Sequence, residues 1–237
     1  MKMFSRNRPW TFAVCLSIFV AWLSNDRAHG FPPFASGIIG FDYGGAAYGF
    51  PAYSSGPGAV GAVGDVWNTQ DTVDTSAINL MKNDGTLTSA VWHLSGGGGA
   101  ATPNINGTYA RLLDVSTAIS SASISGLTPG ASYYLYLYSV YWDENIQVNG
   151  VDFFTQGIRF GTVNSLQQGV HYDMHTVIAD PGGTLSFVPI SAQFGTPFIS
   201  SWQLASVPEP ASLLIAGMVG LACAVGKGSR SGTTSRR

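Results

Sequence analysis

The 237-residue sequence predicts an all-β protein whose body is a β-sandwich, with an apolar segment at either end. Three observations carry that prediction. Only 10% of the residues are charged against 45% hydrophobic, with 30 glycines and 12 prolines, which suits packed strands and tight turns rather than a disordered acidic tail or a solvated helical array. Short runs rich in Thr, Val, Tyr and Ser recur through the middle, most of them bounded by turn residues. One stretch also has the residue spacing of a sandwich corner.

Residues 1–30 combine a basic start (Lys2, Arg6, Arg8), an apolar run over 11–23 and a polar stretch ending Ala28-His29-Gly30. This is the layout of a secretory signal peptide, with small residues at −3 and −1 of a cut after Gly30. Its thirteen apolar residues fall short of the ~20 that a bilayer span needs. The segment 31–53, rich in Gly, Ala, Pro and aromatics, reads as one or two opening strands plus a loop, and 54–64 as turn-rich.

Strands are expected at 76–82, 86–94, 109–114, 118–124, 133–141, 151–157, 172–179, 184–188 and 198–205. The turns between them are Asn83-Asp84-Gly85, the glycines 96–99, Asn106-Gly107, Asn149-Gly150 and Pro181-Gly182-Gly183. Helix is scarce, because the body holds one Lys and one Glu and its Thr, Val, Tyr and Ser favour strands.

The sharpest local signal is 124–139. Leu127, Pro129 and Tyr133 are spaced as an apolar plug, a turn proline and a tyrosine whose hydroxyl engages loop backbone. Along the following strand the period of two places Tyr133, Leu135 and Leu137 on one face, expected inward. Tyr134, Tyr136 and Tyr138 fall on the other, against a neighbouring layer or solvent.

At the C-terminal end Val207-Pro208-Glu209-Pro210 opens a motif over 207–212. An apolar run over 213–226 and a basic tail over 227–237 follow. Positive charge beside an apolar helix stays cytoplasmic, so 213–226 reads as a transmembrane helix with the tail inside and the body outside. The two prolines flanking Glu209 disfavour helix and keep the motif extended. The organisation is thus a signal peptide at 1–30, an extracellular body at 31–206 and a sorting segment at 207–237.

Charge and cysteine usage narrow the function classes. Between residues 31 and 207, three basic side chains face eleven acidic ones, a net −8, which argues against nucleic acid as a partner. Cys15 and Cys223 both lie in the terminal apolar runs, so the processed body has no thiol and no disulfide. At about 175 residues it is large enough to be held by burial alone.

The Pro-Glu-Pro motif, the apolar helix and the basic terminus, in that order, resemble the PEP-CTERM sorting signal of Gram-negative bacteria. The resemblance implies export, processing near the motif by an exosortase-type enzyme, and residence at the outer surface or in an extracellular matrix of exopolysaccharide and biofilm. Within the body, 65–68, 80–85, 126–139, 148–150 and 199–204 resemble secreted β-sandwich domains of the jelly-roll, galactose-binding-like class, and the corner is shared with fibronectin type III modules. What these imply is a fold, with turns and core positions as its marks.

Candidate chemistry is sparse, and no catalytic residue is assigned. Asp65, Asp71 and Asp74 gather in a loop-like stretch where oxygens could surround Ca²⁺, but an EF-hand's glycine and closing glutamate are missing. Solvated Asx-turn side chains are the alternative. His171, Asp173 and His175 alternate on one strand face, where next-but-one neighbours stand about 7 Å apart, too far for the two imidazoles to share zinc easily.

Asp143 and Glu144 invite a glycosidase reading, yet sequence neighbours point apart on a strand. Sugar binding by Trp142, Tyr141 and Tyr138, with polar contacts from Asp143 and Asn145, suits aromatics beside polar groups. The expected role is a non-enzymatic matrix or envelope protein. A specific carbohydrate-binding module and a polysaccharide hydrolase or lyase are the rivals, and no cofactor is expected beyond a candidate Ca²⁺.

Overall fold

The computed structural model describes residues 37–44, 52–72, 75–101, 105–139, 144–157, 160–191 and 197–207. Both terminal apolar runs lie outside them, and among the described residues no helix is long and apolar enough to cross a membrane.

A mixed sheet and an antiparallel sheet form an all-β sandwich. The first has five strands, in the order β11 (Tyr172–Ile178), β7 (Ser132–Tyr138), β14 (Ser201–Ser206), β1 (Ile39–Gly44) and β2 (Trp67–Asp71). The second runs β3 (Ile78–Met81), β4 (Leu87–Ala101), β6 (Val115–Ser125), β12 (Leu185–Ser191), β8 (Glu144–Val148) and β9 (Val151–Thr155), with β13 (Phe198–Ile199) also on β6. A small parallel pair joins β5 (Ile105–Asn106) to β10 (Gly161–Thr162), and a single helical turn, α1, spans Ala110–Leu113.

The period of two decides what lies between the sheets. Phe41 and Tyr43 of β1, Leu135 and Leu137 of β7, and Trp202 and Leu204 of β14 meet Trp92, Ile124, Phe153 and Phe187 from the second sheet. Phe41 stacks on Trp202 at 5.3 Å between ring centroids, Phe187 meets Trp92 edge-on at 5.3 Å, and the Trp92 indole N–H donates to the Tyr43 hydroxyl at 3.1 Å.

The first sheet is buried on its other face as well. There Trp67, Tyr136 and Tyr138 pack with Leu112 and Leu113 of α1, Ile105 and Val163. The alternate tyrosines of β7 therefore face a neighbouring layer, one of the two outcomes the sequence allowed.

The predicted corner forms. The Thr128 backbone N–H donates to the Tyr133 hydroxyl at 3.1 Å, while Leu127 N–H donates to Gly183 C=O at 3.0 Å. The Asn149-Gly150 hairpin forms too. Asn149 at φ 47° and Gly150 at φ 85° meet the type I′ requirement for two positive φ angles, and Val148 pairs with Val151.

Three local expectations need correcting. The predicted strand at 109–114 is instead α1, because Ala, Arg and two leucines are strong helix formers and Leu112 and Leu113 gain burial from one turn. The glycines 96–99 do not turn. They lie within β4, where register shifts against β6 mark bulges and Gly96 supplies φ 117°. The stretch 67–71 is not a loop but β2, parallel to β1.

Because β1 and β14 are antiparallel neighbours with Ile39 opposite Leu204, the chain enters and leaves the body at one pole. Val207 N–H still donates to Ser132 C=O there, at 3.1 Å. At the opposite pole Asp42 pairs with Ser201, and Ser201 with Tyr138.

Candidate functional site

The pole away from the termini concentrates buried polar groups. On β1, alternation sends Phe41 and Tyr43 into the core and Asp42 to the outer layer, where it is fully buried. One carboxyl oxygen, Oδ2, accepts the Tyr53 N–H at 2.6 Å, and the other has no hydrogen-bond partner among the described residues. Asp114, just after α1, is also buried.

Burial raises the Asp42 pKa well above the usual carboxylate range. The Tyr53 N–H counteracts this, and the nearby Asp114 adds to it. Burial likewise raises Asp114 to about 7, with Arg111 pulling the other way. Burial thus favours the protonated form of both carboxyls, Asp114 being half protonated near pH 7.

Hydroxyls surround them. Ser201 Oγ donates to Leu112 C=O at 3.2 Å, tying α1 to β14, and Thr117 Oγ1 donates to Thr72 C=O at 3.2 Å. Ser116, Ser139 and Ser200 are buried in the same region, with Ser200 N–H on Tyr138 C=O at 2.9 Å.

The sequence-predicted sugar-binding residues do not assemble into an exposed aromatic face among the described residues. Tyr138 is fully buried, and its hydroxyl accepts the Ala59 N–H at 2.6 Å and donates to Gln203 Oε1. Its ring is closed to a sugar because the 52–60 loop lies over it. Gln203, which sequence reasoning missed, also donates to Val60 C=O at 3.0 Å and pins that loop from below. Asn145 lies in β8 opposite Phe154. Trp142, Tyr141 and Asp143 lie outside the described residues.

The calcium set is also dispersed. With β2 extended between them, Asp65 and Asp71 are six residues apart, roughly 20 Å at ~3.3 Å per residue, too far to share an ion. Asp65 instead staples its own loop, accepting Ala62 N–H at 2.9 Å and Asn83 Nδ2–H at 3.2 Å, while Asp74 lies outside the described residues.

Asp173 and His175 do meet, at 3.0 Å, and Asp173 also accepts Phe154 N–H at 2.9 Å. His171 stands apart from them and accepts Gln167 N–H on Nδ1 at 2.9 Å. Its pKa is lowered by burial. Among the described residues no group of three or more His, Cys, Asp or Glu is placed to hold a metal ion.

The pole carrying the termini holds a groove of about 320 Å³, open to solvent on one side, at the mouth between the two sheets. Ile39 and Leu204 form one wall, Thr88 and Ser89 the other. Tyr133 and Leu127 of the corner close it, and Lys82 stands at its edge. Lys82 makes no ion pair among the described residues. Its sequence signal was its solitude, since it is the one lysine between residues 31 and 207.

No family model and no curated protein matches the chain. Two solved structures are similar over most of it. One is a β-glucuronidase 2 of Bacteroides uniformis covalently bound to cyclophellitol-6-carboxylate aziridine, at 13% identity and TM-score 0.43, covering 74% of this chain and 18% of that one. The other is the plant peptide RALF23 in complex with FER and LLG2, at 10% identity and TM-score 0.36, covering 76% and 42%. The chain thus spans less than half the length of either. Likeness this shallow carries no argument about ligand or partner.

Proposed function

We propose that this chain is an exported, non-enzymatic matrix or surface protein of a Gram-negative cell. In this reading a jelly-roll-like body is delivered by an N-terminal signal helix, held for a time by the C-terminal membrane helix, released by an exosortase-type enzyme at 207–212, and associated with exopolysaccharide. The observation that supports it most is the order of the C-terminal segment, Pro-Glu-Pro, apolar run and basic end, placed opposite in sense to the N-terminal apolar run.

The adjacency of β1 and β14 suits that reading. A body whose two ends leave side by side can hang from a membrane by one pole with no crossing of its own surface.

A specific carbohydrate-binding module is the second reading, favoured by the groove beside the corner, which combines apolar walls with a few polar groups. A hydrolase or lyase would need acids facing a substrate. The two carboxyls with raised pKa values, Asp42 and Asp114, are instead buried at the far pole.

Fractionation of cells producing the full chain, alongside a variant ending at Ser206, tests the proposal. The full chain is expected at the cell surface or in matrix, and the truncated one free in the exported soluble fraction. Recovery of both from cytosol overturns it.

A further inference from the structure

We propose that the groove beside the tyrosine corner binds a uronic acid residue of an acidic polysaccharide. This names a ligand class for the matrix role and rests on that reading. The argument begins with the hydrogen-bonding capacity the groove keeps after its internal bonds are made. Ser89 Oγ donates to Gly126 C=O at 2.8 Å, and Thr88 Oγ1 donates to Leu80 C=O at 2.7 Å while accepting Ala90 N–H at 3.0 Å, so Ser89 keeps its acceptor positions and Thr88 keeps one. The Tyr133 hydroxyl accepts Thr128 N–H and keeps its own proton to give. Lys82 adds an ammonium with three donors and no ion pair among the described residues.

Asp84, two residues on, feels the Lys82 charge but is fully exposed to water. The remaining capacity is therefore two hydroxyl acceptors on one wall, a phenol and a cation as donors, and an apolar surface from Ile39, Leu127 and Leu204. A pyranose bearing one carboxylate meets all three demands. Its hydroxyls donate to Ser89 and Thr88, its carboxylate receives Lys82 and Tyr133, and its C–H face lies on the apolar wall.

Charge selects the acid form over the neutral sugar. The body carries a net −8 between residues 31 and 207, so a polyanion is repelled over most of it and gains attraction at Lys82, which makes no ion pair among the described residues and whose neighbour Asp84 is fully solvated. The volume, about 320 Å³, lies at the small end of ligand sites, and the open side lets a polymer pass through with one residue seated.

Titration calorimetry of the full chain against oligogalacturonate, its methyl ester and monomeric galacturonate tests this, with K82M and K82R alongside the unaltered protein. The acid oligomer is expected to bind, the ester and K82M to be at least tenfold weaker, and K82R to retain most of the affinity. The monomer is expected to compete at higher concentration, and raised salt to weaken the acid oligomer only. Equal binding of acid and ester, or K82M binding as tightly as the unaltered chain, overturns the proposal. Binding of neutral exopolysaccharide with no response to any uronate overturns it while leaving the matrix role standing. Absence of binding to every polysaccharide, with the chain found in cytosol, removes both.

Discussion

The two poles of the sandwich solve opposite problems. At the pole of the termini the polar groups are few and paired with backbone, as in the Thr128–Tyr133 corner, and the charged side chain, Lys82, stands at a solvent-facing groove. At the far pole two carboxyls and several hydroxyls are buried, and one oxygen of Asp42 has no partner among the described residues. The lesson is that a buried acid in this fold is a stability liability answered by protonation, whereas the lysine at the groove makes no ion pair among the described residues and leaves stability to its neighbours.

The largest effect that separates the poles is pH dependence. Folded Asp114 keeps its proton up to about pH 7, while the unfolded chain releases it near 4, so the folded state binds the extra proton through that window. Stability therefore falls as pH rises from about 4 to about 7 and then levels on this account, and the raised Asp42 pKa acts in the same direction. D114N is expected to remove up to about 4 kcal/mol of that slope, given a rise of roughly three pKa units. Urea titrations at pH 5 and pH 8 check it, and an unchanged slope in D114N would break the contrast.

Next comes Y138F in the outer layer. It leaves the Ala59 N–H without its acceptor and Gln203 Oε1 with only the Val60 N–H, at 3.4 Å, as donor, and should cost about 1–3 kcal/mol with loosening of the 52–60 loop. Hydrogen exchange at Ala59 and Val60 reports the loosening. The counterpart at the other pole is Y133F, which removes the acceptor of a more exposed N–H and should cost about 1 kcal/mol by the same denaturant measurement. Smallest of all, K82M should change stability by no more than about 0.5 kcal/mol, since Lys82 makes no ion pair among the described residues. A larger loss would mean that this lysine belongs to the fold rather than to a ligand.

The same contrast explains what the sequence disclosed. Corner and hairpin were readable because each is local. A turn proline four residues before Tyr133 and an Asn-Gly pair between apolar strands state their geometry within a few positions. The strand β2 was hidden because its residues, Trp-Asn-Thr-Gln-Asp, look like loop. Asn68 belongs there as a bridge between strands, donating to Gly40 and Met81 carbonyls at 2.9 and 2.8 Å and accepting Met81 N–H at 2.7 Å.

The acidic cluster was hidden for a different reason. Asp42 and Asp114 are 72 residues apart and meet only through the crossing from α1 to β6. Tyr138 was misjudged as a sugar platform because the alternation that places it on the outer face says nothing about a loop folded over that face. The groove, likewise, takes its walls from two sheets, and only the lone lysine marked it in one dimension.

The intact mass of the chain recovered from outside the cell tests the export account most directly. The prediction is a polypeptide that begins at Phe31, ends within 207–212 and contains no cysteine. A full-length chain retaining Cys15 and Cys223, found in the cytosol, would contradict it.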